Sequence, residues 1–269
     1  MSIQLLNIEN LSNIEDEVLN LEDFLVNADE EVKEPIPILA HIDGTHIFTE
    51  DNISMIQGKA KSRKSTLIKA IGAAICKGNY GLLKSNYLRN NIAIFDTEQG
   101  HFHCWKSARV IKNLSGKNIN YYKVSGISPA QKKFLVEAHL KRNPDCGFLI
   151  LDNIVHFITD FNSAQESTEL NMWLIKIKGD YNCHICLVLH ENGSEYGNGK
   201  AKGHIGTLLE NTCETIIRVE KNKDNKSQSI VSAKAMRGAE FEPFTIEMDF
   251  QGVPFLNEYV EEEYKKTKF

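Results

Sequence analysis

No apolar run in this 269-residue chain approaches the length of a membrane-spanning helix. The N-terminus, MSIQLLNIENLSNIEDE, is acidic where a secretory signal would be basic. A cytoplasmic protein with no membrane partner is therefore expected. A disulfide framework is also missing: Cys76, Cys104, Cys146, Cys183, Cys186 and Cys213 are scattered through apolar segments and read as buried thiols. Cys183 and Cys186 have the spacing of a zinc pair, but in an extended run positions three apart face opposite ways, and no second pair follows. His101, His103 and Cys104 likewise lack further visible ligands. The net charge of -5 argues against a uniformly nucleic-acid-binding surface, though a local basic patch stays open. No internal repeat, heptad run, zinc finger or helix-turn-helix is visible.

What is present is ordinary for a globular chain: 42% hydrophobic and 25% charged residues, enough for one large α/β domain. Residues 1–33 form an acidic arm with Leu, Ile and Val at roughly helical spacing. It is either a partly disordered tail or a helix that docks on a neighbouring subunit. Pro35 and Pro37 open the core domain, taken as 34–250, and 251–269 is left as a C-terminal tail. Within the core, apolar runs predict strands at 53–56, 92–95, 119–124, 147–152 and 184–189. Helical spacing predicts helices near 102–114, 129–141 and 170–177. This alternation predicts a mainly parallel sheet flanked by helices. Lys77–Asn91 reads as a polar connection and Glu191–Gly206, with five glycines, as a loop. Strands at 215–220, 229–235 and 244–250 add an antiparallel C-terminal edge.

The chain is organised around NISMIQGKAKSRKSTLIKAIGAAICK, a buried strand, a polar turn and a helix spanning Asn52 to Lys77. Its turn (Gly58, Lys59, Ala60, Lys61, Ser62, Arg63, Lys64, Ser65) follows the phosphate-binding pattern GxxxxGK[ST], with Arg63 in place of the second glycine. Such a turn offers backbone N–H groups and the positive end of a helix to a phosphate. Lys64 would reach the β and γ phosphates of ATP, and Ser65 would hold Mg2+, with Thr66 a weaker candidate. The plainer reading is a helix cap built on Ser62 or Ser65. A helical backbone at Arg63, with no positive φ, would leave the cradle intact.

GFLILD is a buried strand that delivers Asp152 beside the phosphate turn, where it can hold the magnesium shell. Asn153 stands where a second carboxylate could have followed. Glu98, ending the strand before it, is then the candidate to activate water. His190 ends another strand just ahead of the glycine-rich loop.

Taken together, the turn, the DTE acid Glu98, LILD with Asp152, His190 and the late basic cluster AKAMRG resemble the RecA-like ATPases. Among these the resemblance is to the DnaB-like and RepA-type hexameric helicases. It implies a RecA-like core, ATP and Mg2+, and a homo-oligomeric ring or filament, typically a hexamer. It also implies Glu98 as catalytic base, His190 as γ-phosphate sensor, and Lys234 and Arg237 reaching a neighbour's nucleotide, with Lys202 a rival. Loops near 155–167 and 191–203 would touch single-stranded DNA, the second through Tyr196, Lys200 and Lys202. A replicative helicase or replication ATPase of a plasmid or mobile element is the expectation. A KaiC-like regulatory ATPase without DNA, or a degenerate nucleotide-binding scaffold, are the alternatives; a small-molecule kinase lacks an evident acceptor site.

Overall fold

The computed structural model describes residues 25–31, 36–191 and 203–259. The chain divides into two units, Met1–Glu34 and Pro35–Phe269. In the first, residues 25–31 are exposed and carry one turn, closed by Glu30 N–H on Asn27 O at 3.2 Å. Most of the expected amphipathic arm lies outside the described residues.

The second unit is built on a nine-stranded sheet. In chain order its elements are β1 (Leu39–His41), β2 (His46–Phe48), β3 (Ile53–Gly58), α1 (Lys64–Lys77), β4 (Asn79–Tyr80), β5 (Leu83–Lys84), β6 (Asn91–Asp96), α2 (His101–Ser115) and β7 (Asn120–Lys123). There follow α3 (Pro129–Arg142), β8 (Cys146–Asp152), α4 (Ala164–Tyr181), β9 (His184–His190), α5 (Gly203–Thr212), β10 (Thr215–Lys221), β11 (Ser229–Met236), β12 (Phe244–Met248) and β13 (Pro254–Glu258). The large sheet runs β13-β12-β11-β10-β3-β9-β8-β6-β7, parallel from β10 through β7 and antiparallel from β10 to β13. The expected α/β architecture with an antiparallel C-terminal edge is therefore present.

The central strands read as unbroken apolar runs because both faces are covered. Alternate residues serve different cores. Phe148 and Ile150 of β8 join Leu67 and Ile71 of α1, whereas Leu149 and Leu151 join Leu170 and Leu174 of α4. Cys186 and Cys183 fall into these two cores respectively, so the strand geometry holds them on opposite faces. Helix starts follow capping chemistry. Ser128 and Gln131 form a reciprocal capping box ahead of Pro129, and Ser163 accepts from Glu166 N–H at 3.2 Å.

Three expectations need correction. The connection 77–91 contains β4 and β5, which join β1 and β2 in a small antiparallel sheet; strands two residues long leave no periodicity to read. Residues 203–206, read as loop, begin α5, whose Ile205 and Leu209 are fully buried. The segment after 250, read as tail, supplies β13, paired along β12 from Phe244↔Glu258 to Met248↔Pro254.

One core group ties the fold to pH. His184 is fully buried between Phe48 and Phe148, with ring centroids at 4.9 and 5.3 Å. Its Nδ1–H donates to Thr49 O at 2.7 Å, so Nε2 accepts from the Ser54 hydroxyl at 2.7 Å. Burial pushes its pKa down to about 4. The unfolded chain, near the ordinary value of about 6.5, takes this proton first, so stability is whole above that value and falls as pH drops toward 4. Glu214, 3.7 Å from the ring, is pushed up by burial and acts in the opposite sense. Urea unfolding at pH 7.5 and pH 4.5 should therefore be compared with His184→Gln. The wild type is expected to lose about 2–3 kcal/mol more than the variant over that interval. Equal losses would remove His184 from the account.

Candidate functional site

Parallel α/β sheets place ligands at the carboxyl ends of their strands. Here Gly58, Asp96, Asp152 and His190 end four adjacent strands, with Gly58 level with His190 and Asp96 level with Asp152. The phosphate turn rises from the first of these ends and runs into α1. Its packing leaves no room for a side chain at Gly58, where a Cβ would lie 2.3 Å from Val219 O and 2.8 Å from Ser62 Oγ.

Arg63 departs from the expected geometry. It is left-handed, at φ 74° and ψ 26°, where a non-glycine residue carries a steric cost of about 1–2 kcal/mol. Neither Ser62 nor Ser65 caps α1; Arg63 occupies the N-cap position and makes no side-chain cap bond. Its guanidinium donates to Lys226 O (2.9 Å) and Gln228 O (3.1 Å) in the turn between β10 and β11 and to Ser229 Oγ (3.0 Å) at the start of β11. These bonds hold the left-handed turn that a glycine would have supplied without strain.

Lys64 is buried, and its ammonium donates to Gly58 O (2.8 Å), Lys59 O (2.9 Å) and His190 Nδ1 (2.9 Å). Because an ammonium only donates, Nδ1 must accept and the ring proton sits on Nε2. Nε2–H then faces Glu98 Oε2 at 3.3 Å, and the other Glu98 oxygen accepts from Asn153 Nδ2 at 3.1 Å. In the sequence Asn153 shows only as a missing carboxylate; its amide orients the candidate base. Asp96, fully buried, fixes the turn beneath, accepting from Glu98 N–H (3.0 Å), Gln99 N–H (2.8 Å), Gln99 Nε2 (2.6 Å) and Tyr121 OH (2.9 Å). No sequence spacing pointed to Tyr121, which arrives from the next strand over.

Burial dominates the charges. It pushes Asp152 up to about 7, helped by Asp96 and Glu98 and opposed by Lys64. It pushes Lys64 down to about 8, against Asp152, Glu98 and Glu191. Glu98 goes the other way: the His190 hydrogen bond, against a smaller cost of burial and with help from Asn153, holds its carboxyl near 2.

The residues fit a nucleoside triphosphate with Mg2+. The Ser62 hydroxyl is buried in the turn with no partner among the described residues, and the first turn of α1 has no acid to repel an anion. Ser65 is exposed at the helix start, whereas the Thr66 hydroxyl is turned toward Met248 Sδ at 3.4 Å. Lys59, Ala60 and Lys61 are exposed along the turn.

The late basic pair is not gathered here. Lys234 is the extra residue of a bulge, since Ile216 and Ile217 of β10 face Ala235 and Ala233. It donates to Gln57 Oε1 at 2.9 Å and pairs with Glu210 of α5 at 2.5 Å. Arg237 leaves β11 at the end where Met236 faces Thr215, opposite the strand ends that carry the site. Tyr196, Lys200 and Lys202 lie outside the described residues.

No protein-family model and no curated protein matches this chain. Among solved structures, the crystal structure of the RadB recombinase is similar in fold. The TM-score is 0.55 over 81% of this chain and 94% of that one, at 14% sequence identity. This likeness, with the strand order and the turn on β3, identifies the architecture as RecA-like.

Proposed function

We propose that this RecA-like domain binds ATP with magnesium and hydrolyses it at an interface between subunits, as a motor on single-stranded DNA. The observation that carries the reading is the chain of contacts Lys64–His190–Glu98–Asn153 across four strand ends. Magnesium held by Ser65 and Asp152 would neutralise charge on the transferred phosphoryl group. Lys64 exchanges its two turn carbonyls for phosphate oxygens, and the backbone N–H groups of residues 59–65 complete the cradle. His190, no longer tied to Lys64, turns to the terminal phosphate. Glu98 thereby loses the bond that most depresses its basicity and becomes a stronger base toward water, while Asn153 keeps its other oxygen in place. Arg237 of an adjacent subunit, paired with Lys234, or Lys202 in their place, stabilises the developing charge, so turnover waits for assembly.

Within RecA-like motors we assign the chain to the DnaB-like and RepA-type group, as a hexameric ring serving replication of a plasmid or mobile element. Tyr196, Lys200 and Lys202 are the assigned strand contacts, supplying a ring and two charges to the segment that follows β9 in the sequence. The test is steady-state ATP hydrolysis over a range of protein concentration, with and without single-stranded DNA. The rate per subunit is expected to rise with concentration and again with DNA. Hydrolysis indifferent to DNA would replace the motor by a regulatory ATPase, and tight ATP binding without turnover would leave a scaffold.

A further inference from the structure

Glu98 is held from a second side, through residues beyond its bond to His190. Asn153 is 2% exposed, and its amide is fixed at both ends: Nδ2 donates to Glu98 Oε1 at 3.1 Å, and Oδ1 accepts from Val155 N–H at 3.3 Å. The second bond caps a single 3-10 turn, Ile154–Phe157. Fully buried Ile154 and Phe157 anchor that turn, and His156 is exposed. The His156 ring turns back to the end of β6, where its Nδ1 lies 2.7 Å from Thr97 Oγ. Thr97 is buried, and its backbone N–H donates to Asp152 O at 2.6 Å, joining β6 to β8 just past their last paired residues. Its hydroxyl oxygen accepts from Asn153 N–H at 3.0 Å. For its own proton that hydroxyl has two acceptors, His156 Nδ1 at 2.7 Å and Asn153 O at 3.4 Å. The nearer one takes it, so the ring accepts on Nδ1 and carries its proton on Nε2.

We propose that His156 is a positioning residue for Glu98, acting through Thr97 and Asn153 to fix the direction in which the carboxylate faces. The inference deepens the reading of Glu98 as base and rests on it. Asn153 is held at three atoms: its backbone N–H by Thr97, Oδ1 by the 3-10 turn, and Nδ2 by Glu98. The His156 ring ties the first two holds together, because it belongs to the turn and bonds the Thr97 hydroxyl. Without the ring that hydroxyl has only Asn153 O, at a distance longer than a good O–H···O bond. A general base must stay within hydrogen-bond reach of the water it deprotonates, so a carboxylate whose support rotates loses rate without losing nucleotide. Residue 156 also opens the segment expected to touch a single strand, but a ring bonded inward to Thr97 serves the base.

The test has one readout that needs no turnover and one that does. In the nucleotide-free full chain labelled with 15N-asparagine, the side-chain amide resonance absent from Asn153→Ala belongs to Asn153. It is expected to shift in His156→Ala and in Thr97→Val, and to stay in place in His156→Asn, whose amide reaches the position of Nδ1. In steady-state hydrolysis kcat should fall about 5- to 30-fold in His156→Ala, with KM for ATP within about threefold, and recover in His156→Asn. Because both residues act through one hydroxyl, His156→Ala combined with Thr97→Val should cost no more than the worse single change. An Asn153 resonance unmoved in His156→Ala would overturn the proposal, as would additive losses in the double variant or a loss that His156→Asn does not restore. So would weaker binding of an unstructured pyrimidine oligonucleotide with kcat intact, which would make His156 a strand contact. A resonance that moves as expected in a chain that hydrolyses no ATP would sink the hydrolytic reading and keep the link from His156 to Asn153. Unchanged kcat in a chain that does hydrolyse would sink only the positioning role.

Discussion

Replacing Glu98 by Gln is expected to lower ATP hydrolysis by about 10²–10⁴-fold, the usual contribution of a positioned general base. ATP affinity should stay within about threefold, because Glu98 touches His190 and Asn153 but no part of the phosphate turn. The substitution keeps the shape of the side chain and an oxygen that can still accept from Asn153. What it removes is the capacity to take a proton from water. Single-turnover rates and equilibrium binding of a fluorescent ATP analogue separate the two effects. A rate that survives the change would transfer the base role elsewhere and leave the Asn153 contact as packing.

Lys64→Ala is expected to weaken ATP binding by about 10²–10⁴-fold, from the loss of two charge-assisted bonds to phosphate at about 1.5–3 kcal/mol each. Truncation also orphans Gly58 O and Lys59 O, which now accept from the ammonium. A local stability loss of about 1–3 kcal/mol should accompany it. Lys64→Met, which keeps the length of the side chain and fills the same space, distinguishes lost charge from a collapsed turn: both variants should fail to bind. Calorimetric titration with ATP and magnesium, beside a thermal melt, reads both quantities. Unchanged affinity in a folded variant would end the phosphate-site assignment.

Much of this architecture is legible in the residues. β3, β8 and β9 announce themselves as apolar runs because both faces of each are covered, and α1 by apolar spacing after a polar turn. The elements that escape are those whose order comes from partners. β4 and β5 exist through pairing, and α5, with glycine at 203 and 206, has weak intrinsic preference and is held by Ile205 and Leu209 in the core. At the site, Lys64, Glu98, Asp152 and His190 are visible as strand ends or motif positions. Asn153 and Tyr121 are not, since an amide or phenol becomes functional only through the atom it meets. Arg63 departs from expectation in its backbone, which is left-handed and not helical. A helical conformation suffices in principle, yet the chain adopts the strained one because a distant turn compensates it.

That compensation changes what the turn between β10 and β11 is. A polar hairpin tip of this kind ordinarily tolerates insertion and drift. Here three of its groups, Lys226 O, Gln228 O and Ser229 Oγ, serve as the missing half of a glycine more than 160 positions earlier. The length of that hairpin is therefore a parameter of the candidate nucleotide site. Arginine at 63 and the reach of residues 226–229 form a single structural unit, joined by these three bonds.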